Sequence, residues 1–310
     1  MSDIERAVAV LRDGGLVAFP TETVYGLGAD AANPEAMRRL YEVKRRPADH
    51  PVITHVPEHA DLAAYGLVVP ELATRLARKF WPGPLTLVVR RAGSDATVAV
   101  RVPAHPIALA LLGAFDGGIA APSANRFGCV SPTRVEHVRA DLGSDVDFVL
   151  DGGPCAVGVE STIVDVSGPE PQILRVGGIT DAQLEVVAGR PLRRRTEGEV
   201  AAPGTMASHY SPRAQVEVVA EAELEARAAQ HAAAGRPVAV LALADAIANV
   251  NFVQATVLDP PADVDEYARV LYARLREADS QGVDILLVVA PPQAGLGAAV
   301  GDRLRRAAAG

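Results

Sequence analysis

The sequence predicts an α/β protein of two domains, on three observations. Its 310 residues exceed the ~250–300 at which single hydrophobic cores stop growing. Through the first part, apolar runs of strand character and amphipathic segments follow one another in mixed order, which suits a mixed sheet layered with helices rather than a regular βαβ series. Beyond a polar stretch of little periodicity, strands and helices alternate regularly, as in a small doubly wound, Rossmann-like domain. The expected division is a first domain over 1–190, a linker over 191–215 and a second domain over 216–310.

Ile4 to Arg12 has helical spacing and ends at Gly14-Gly15, ahead of a β-rich run from Leu16 to Pro20. Asn33-Pro34 reads as a helix start, with Pro34 first in the helix and Met37, Leu40 and Tyr41 on its apolar face; the helix delivers Lys44 at its end. Strands are predicted at Leu85–Val89, Val98–Val102, Phe148–Leu150 and Ser161–Val166, and helices at Glu71–Phe80 and Ile107–Phe115. The linker carries Arg193-Arg194-Arg195 and Pro203-Gly204 and is longer than most connections inside a compact domain. After it, strands at Val216–Val219, Val238–Leu243, Phe252–Leu258 and Ile285–Val289 surround a helix at Ala222–Ala234 and another whose Val264, Tyr267, Ala268, Leu271 and Leu275 share a face.

Composition excludes several classes. No apolar stretch approaches the ~20 residues that span a bilayer. Asp3, Glu5 and Arg6 interrupt the apolar run that a signal peptide needs, so a soluble cytoplasmic protein without membrane partners is expected. Cys129 and Cys155 are too few for a disulfide framework or a four-ligand zinc site. A net charge of -8 disfavours strong direct nucleic-acid binding, which confines any anion site to a local pocket. Of 30 lysine-plus-arginine residues only Lys44 and Lys79 are lysine, so a retained lysine suggests a need for a compact ammonium.

Several motifs have chemical content. FPTETVYGLG, Phe19 to Gly28, reads as a strand that runs into a hydroxyl-rich turn and then a Gly-x-Gly, or more plainly as a buried strand and tight turn; Thr21, Thr23 and Tyr25 alternate along it and are expected to share one face, and as a dinucleotide fingerprint it fails at Ala31. VKRRPADHP sets Lys44, Arg45 and Arg46 at a helix end before Pro47 and Pro51. Cations there complement the helix dipole, and Lys44 with Arg46 also suits a carboxylate or triphosphate. Arg101-Val102-Pro103, the APSAN turn at Ala121 to Asn125 and Ser131-Pro132-Thr133 add a guanidinium, hydroxyls and an amide, although each alone is an ordinary cap or turn. Ser161-Thr162 opens a strand, and Arg175 follows in LRVGG. A Walker loop fails because Val159-Glu160 stands where Lys-Ser or Lys-Thr is required. No His-Glu-x-x-His, Gly-x-Ser-x-Gly or Cys-x-x-Cys occurs.

Taken in order, FPTETVYGLG, Lys44-x-Arg46-Pro47, His55, FWPGPLTL, Arg101-Val102-Pro103, APSAN, Ser131-Pro132-Thr133 and STIVD closely resemble the threonylcarbamoyl-AMP synthase family over residues 4–190. The linker APGTMASHYSP and the C-terminal GLGAAVGDRLRRAA resemble the family's two-domain form. The resemblance implies a YrdC-like twisted mixed sheet with a deep basic cavity, followed by a Rossmann-like domain. The implied reaction joins L-threonine, bicarbonate and ATP into threonylcarbamoyl-AMP and pyrophosphate, with Mg2+ accompanying ATP. The product then passes to a tRNA threonylcarbamoyl transferase that makes threonylcarbamoyladenosine. Carried over by position, Lys44, Arg46, Ser123 and Asn125 form the catalytic signature, and Thr23, His55, Arg101, Ala121 and Ser161 hold threonine. Arg46, His50, Thr97, Ser123, Ser131, Arg175 and Tyr210 hold ATP, with no protein metal ligands assigned. His50 stands where the family usually has asparagine, and Phe127 where it has a small polar residue. Two rivals are weighed: an RNA-binding module of the same fold, against which the acidic, 4% aromatic composition counts, and a hydrogenase-maturation-type carbamoyltransferase, which would need zinc-finger cysteines.

Overall fold

A computed structural model describes residues 1–195 and 210–310. These form two units, one of Met1–Phe127, Pro132–Ala156 and the chain from Glu160 to residue 195, the other of Gly128–Ser131, Val157–Val159 and residues 210–310. The middle of the expected linker, with Pro203-Gly204 and His209, lies outside the described residues.

The first unit has six helices: α1 (Asp3–Arg12), α2 (Pro34–Lys44), α3 (Glu71–Phe80), α4 (Pro106–Phe115), α5 (Val135–Leu142) and α6 (Asp181–Ala188). Its strands are β1 (Val17–Phe19), β2 (Gly26–Asp30), β3 (Ile53–His55), β4 (Leu67–Val68), β5 (Leu85–Arg91), β6 (Thr97–Arg101), β7 (Ile119–Ala120), β8 (Phe148–Val149), β9 (Thr162–Asp165), β10 (Gln172–Arg175) and β11 (Arg193–Arg194). They make one mixed sheet in the order β11-β10-β9-β5-β6-β3-β7-β2-β1-β8, with β4 added on β5.

Local chemistry explains α2, which matters most for the site. The Asn33 side chain accepts from the N–H groups of Glu35 and Ala36, Pro34 pre-sets the first turn, and Leu40 buries the inner face. The helix stops where Arg45 turns left-handed at φ 53°, a conformation that glycine usually supplies.

Alternation along the strands separates two faces. On one, Leu85, Leu87, Val89, Val100, Val164 and Ile173 pack with Leu76 of α3 and Leu184 of α6. On the other, α1 and α4 cover only one end, where Leu11 and Leu111 meet Val17, Phe19 and Ile119. Farther along that second face Ile53, Ala99, Ile163 and Leu174 form a thin apolar strip. Two positions beyond Ile53 and Ala99 come His55 and Arg101, themselves paired across β3 and β6. Thr86 of β5 is in register with Ile163 and so joins them on that face. The sheet thereby carries its polar groups next to the apolar end that α1 and α4 cover.

The second unit holds β12 (Gln215–Val218), β13 (Val238–Leu241), β14 (Ala255–Val257) and β15 (Ile285–Val288), all parallel in the order β12-β15-β13-β14. Its helices are α7 (Leu224–Ala233), α8 (Ala244–Ile247), α9 (Val264–Ser280) and α10 (Gly297–Ala308). Every residue of β13 and β15 is buried, so both sheet faces are covered, as expected of a parallel sheet. The Tyr267, Ala268, Leu271 and Leu275 stripe of α9 is buried as its spacing predicts. Helix α10 was not predicted from sequence. Its first residue must be glycine because a Cβ on Gly297 would stand 1.8 Å from the Pro292 carbonyl oxygen.

Candidate active site

Phe19 ends β1 and the chain enters the expected hydroxyl-rich turn, but Tyr25 does not share a face with Thr21 and Thr23. The Thr21 hydroxyl accepts from the N–H groups of Thr23 and Val24 and donates to the Val24 carbonyl at 2.6 Å. Tyr25 points elsewhere, donating to the Gly153 carbonyl at 2.8 Å within the core that holds Leu27 and Leu40; burial pushes its pKa up to about 12. The alternation failed because local side-chain-to-backbone bonds outcompeted strand pairing.

That turn wraps the end of β6. Arg101 is 4% exposed, and its Nε donates to Gly83 O (3.2 Å), Nη1 to Thr23 Oγ1 (3.0 Å) and Nη2 to Glu22 Oε1 (2.6 Å). The Thr23 and Thr21 hydroxyls lie 2.8 Å apart. Because arginine only donates and the Val24 carbonyl only accepts, the relay runs from Arg101 through Thr23 to Thr21 to Val24, each bond polarising the next. The other Glu22 oxygen accepts the Ala104 N–H at 3.0 Å. Sequence reasoning passed over Glu22. A carboxylate inside a motif read as buried was the available signal, since such a charge requires a cation partner.

His55, on β3 beside Arg101, is 3% exposed and sits edge-on to Phe19. Burial foremost, then the Arg101 charge, lowers its pKa from 6.5 to about 3, so its ring is neutral at physiological pH. Next along the face, the Thr86 and Ser161 hydroxyls are 2.8 Å apart. Arg175 donates from Nε and Nη2 to the Ser161 carbonyl (3.0 and 2.9 Å) and from Nη2 to its hydroxyl (3.1 Å). A register shift between Ile173 and Arg175 re-aims this arginine at the end of β10. Gly177 then packs against residues 160–162, where a Cβ would come within 2.3 Å of the Glu160 carbonyl. Thr23, His55, Arg101 and Ser161 thus lie on or over one sheet face, with Arg175 held on Ser161. Ala121 approaches from β7, but its N–H is committed to the Ile53 carbonyl at 2.9 Å, so a backbone contact there falls to its own carbonyl.

The cationic triplet is divided. Lys44 is 1% exposed, its Nζ donating to the Ser123 carbonyl (2.5 Å) and the Asn125 carbonyl (2.6 Å), so it braces the APSAN turn. Arg45 is exposed. Arg46 is partly buried, donates to the Pro51 carbonyl at 2.8 Å and lies over the Phe127 ring at 5.6 Å. His50 meets the same ring edge-on at 5.4 Å. His50 and Phe127 are therefore in contact and pack as a pair beside Arg46. Thr97 is exposed at the start of β6, four residues from Arg101 along the strand, and does not join the buried cluster.

Ser131 and Tyr210 belong to the second unit. Ser131 is fully buried. Tyr210 has a positive φ of 64°, stacks on Tyr272 at 5.5 Å and carries the Arg303 guanidinium 5.4 Å over its ring. Among the described residues no group of three or more His, Cys, Asp or Glu could hold a metal ion, and no helix is long and apolar enough to cross a membrane.

Comparison with known proteins accords with this geometry. Residues 9–177 match a family model described as telomere recombination, and residues 179–309 match that of the threonylcarbamoyl-AMP synthase C-terminal domain. The chain is 39% identical to a threonylcarbamoyl-AMP synthase of Pyrococcus abyssi, over 98% of this chain and 93% of that one. It is 38% identical to the Bacillus subtilis protein of the same name, over 99% and 93%. A crystal structure of P. abyssi Sua5 complexed with L-threonine superposes with a TM-score of 0.89 at 39% identity, covering 98% of this chain and 94% of that one. With a mixed-sheet first unit bearing a buried arginine–hydroxyl face and a parallel α/β second unit, the chain belongs to the threonylcarbamoyl-AMP synthase family in its two-domain form.

Proposed function

We propose that this chain condenses L-threonine, bicarbonate and ATP into threonylcarbamoyl-AMP and pyrophosphate. The observation that carries the reading is the Arg101 fork, set in a relay of hydroxyls beside neutral His55, in a chain that resembles a threonine-complexed structure along 98% of its length. Threonine's carboxylate would take the two Arg101 N–H groups not used by Gly83, Thr23 and Glu22. Ser161 and the Ala121 carbonyl would meet its amine and hydroxyl. Bicarbonate takes up a proton and loses water, breaking one C–O bond, to give carbon dioxide; the neutral amine attacks its carbon, forming the N–C bond as a C=O π bond opens, and loses a proton to solvent or to a second bicarbonate. A carbamate oxygen then attacks the α-phosphorus, and the bond to the β-phosphate oxygen breaks to release pyrophosphate.

Both partners are anions, so catalysis is chiefly alignment plus charge stabilisation. Lys44 would act at the α-phosphate and also hold Ser123 and Asn125, while Arg46 and Arg175 offset the phosphate charge. For His50, Thr97, Ser131 and Tyr210, the assignment to ATP rests on the family resemblance alone. Mg2+ would arrive with the triphosphate and neutralise charge there; lacking a dense carboxylate cluster among the described residues, the protein would leave most of its ligands to phosphates and water. The product is a mixed anhydride, so its consumer must be an acyl transferase, here one acting on tRNA. Incubation with ATP, threonine and 13C-bicarbonate tests the reading. Mass analysis should find an adenylate that carries threonine and the labelled carbon; ATP cleavage independent of threonine would overturn it.

A further inference from the structure

Glu22 has no role in the reaction as set out above, yet it makes the shortest bond to Arg101. It is 8% exposed, and a buried carboxylate is costly unless paired. Each of its oxygens is engaged, one by the Arg101 guanidinium and the other by the Ala104 N–H three residues beyond Arg101. It therefore ties the guanidinium to the backbone that leaves β6. Together with the Thr23 hydroxyl oxygen and the Gly83 carbonyl, it sets three acceptors around one planar cation, which fixes the plane and leaves one edge pattern for a ligand. It also cancels the charge. An uncompensated buried arginine would draw any small anion, including the pyrophosphate and triphosphate handled by the same enzyme, whereas a neutralised and oriented fork selects by directed hydrogen bonds.

We propose that Glu22 is a positioning and specificity-determining residue that, by orienting and neutralising Arg101, keeps the subsite selective for an amino-acid carboxylate over phosphates. The proposal rests on the reading that Arg101 receives threonine's carboxylate. The test uses the full chain with Glu22→Gln and Glu22→Ala, measuring KM for threonine and for ATP, inhibition by inorganic pyrophosphate and phosphate, and the melting temperature. Expected are a rise of about tenfold or more in the threonine KM, an ATP KM within about twofold of the parent, and new phosphate inhibition competitive with threonine. Glu22→Gln keeps the shape, so it supplies the answer if Glu22→Ala does not fold. An unchanged threonine KM overturns the proposal. So does a loss in which both KM values and the melting temperature move together without phosphate competition, the pattern of a merely structural residue. Arg101→Ala separates the two levels. If it leaves the threonine KM unchanged, the carboxylate assignment itself fails and takes the proposal with it. If it raises that KM while Glu22→Gln does not, only the proposal fails.

Discussion

The first unit holds its cations in two contrasting ways. Arg101 is buried and gripped by an ion pair, a hydroxyl and a carbonyl, so its direction is settled before any ligand arrives. Arg46, beyond the end of α2, is only partly buried and rests on a carbonyl and an aromatic face. Lys44 stands between these extremes, buried but turned onto backbone carbonyls rather than a carboxylate. A rigid, neutralised fork suits a small zwitterion that must be placed to a fraction of an ångström, whereas a looser cation suits a long triphosphate whose charge moves during reaction. On the proposed reading, burial and pairing, more than the count of positive residues, divide the labour at this site.

Arg101→Ala should produce the largest effect. It removes the proposed carboxylate partner and leaves Glu22 buried without its cation, so a threonine KM about 10²-fold higher and a stability loss of about 3–5 kcal/mol are expected in steady-state kinetics and denaturant unfolding. Lys44→Ala comes next, lowering pyrophosphate release by about 10²-fold with a smaller change in threonine affinity. Lys44→Arg should also be impaired, since a planar guanidinium cannot replace a point-like ammonium 2.5 and 2.6 Å from two carbonyls; full activity would show that the lysine is incidental.

His55 gives a pH signature confined to the buried side. Its folded pKa, about 3, lies below the ordinary 6.5, so on acidification the unfolded chain takes up the proton first. The stability it confers is complete above pH 6.5 and is lost as the pH falls toward 3, at a slope of about 1.4 kcal/mol per pH unit. His55→Gln should remove that slope from the unfolding free energy in this window, and an unchanged slope would place a proton on the ring in the folded state. His50→Asn should do least. It loses an edge-on contact with Phe127, so the ATP KM should change by no more than about threefold, with the threonine KM unaffected.

Helices with clear starts were legible. α2 starts at its Asn33 cap, α3 covers the predicted Glu71–Phe80 although it has no side-chain cap, and the buried stripe of α9 follows from its periodicity. Strands with both faces buried, β13 and β15, were legible as apolar runs. Short strands such as β3 and β7 were not, because two or three residues carry too little period and owe their form to neighbours distant in sequence. Helix α10 escaped because its glycines argue against a helix unless the close approach of Pro292 is known. At the candidate site, motifs pointed to Arg101 and Ser161, whereas Glu22 carried only the signal of a carboxylate in a motif read as buried and Thr86 carried none; the partners of both emerge once β5, β6 and the PTET turn are assembled. The expectation for Lys44 was also refined, since no spacing rule reveals that its ammonium faces the carbonyls of Ser123 and Asn125.

The central claim is that the buried Arg101 fork binds threonine and the half-buried Arg46 binds the nucleotide, separately. Calorimetric titration of threonine and of a non-hydrolysable ATP analogue into Arg101→Ala and Arg46→Ala tests it most directly. Arg101→Ala should lose threonine binding while keeping the analogue, and Arg46→Ala should do the reverse. Loss of both ligands in both variants, or of neither, would contradict it.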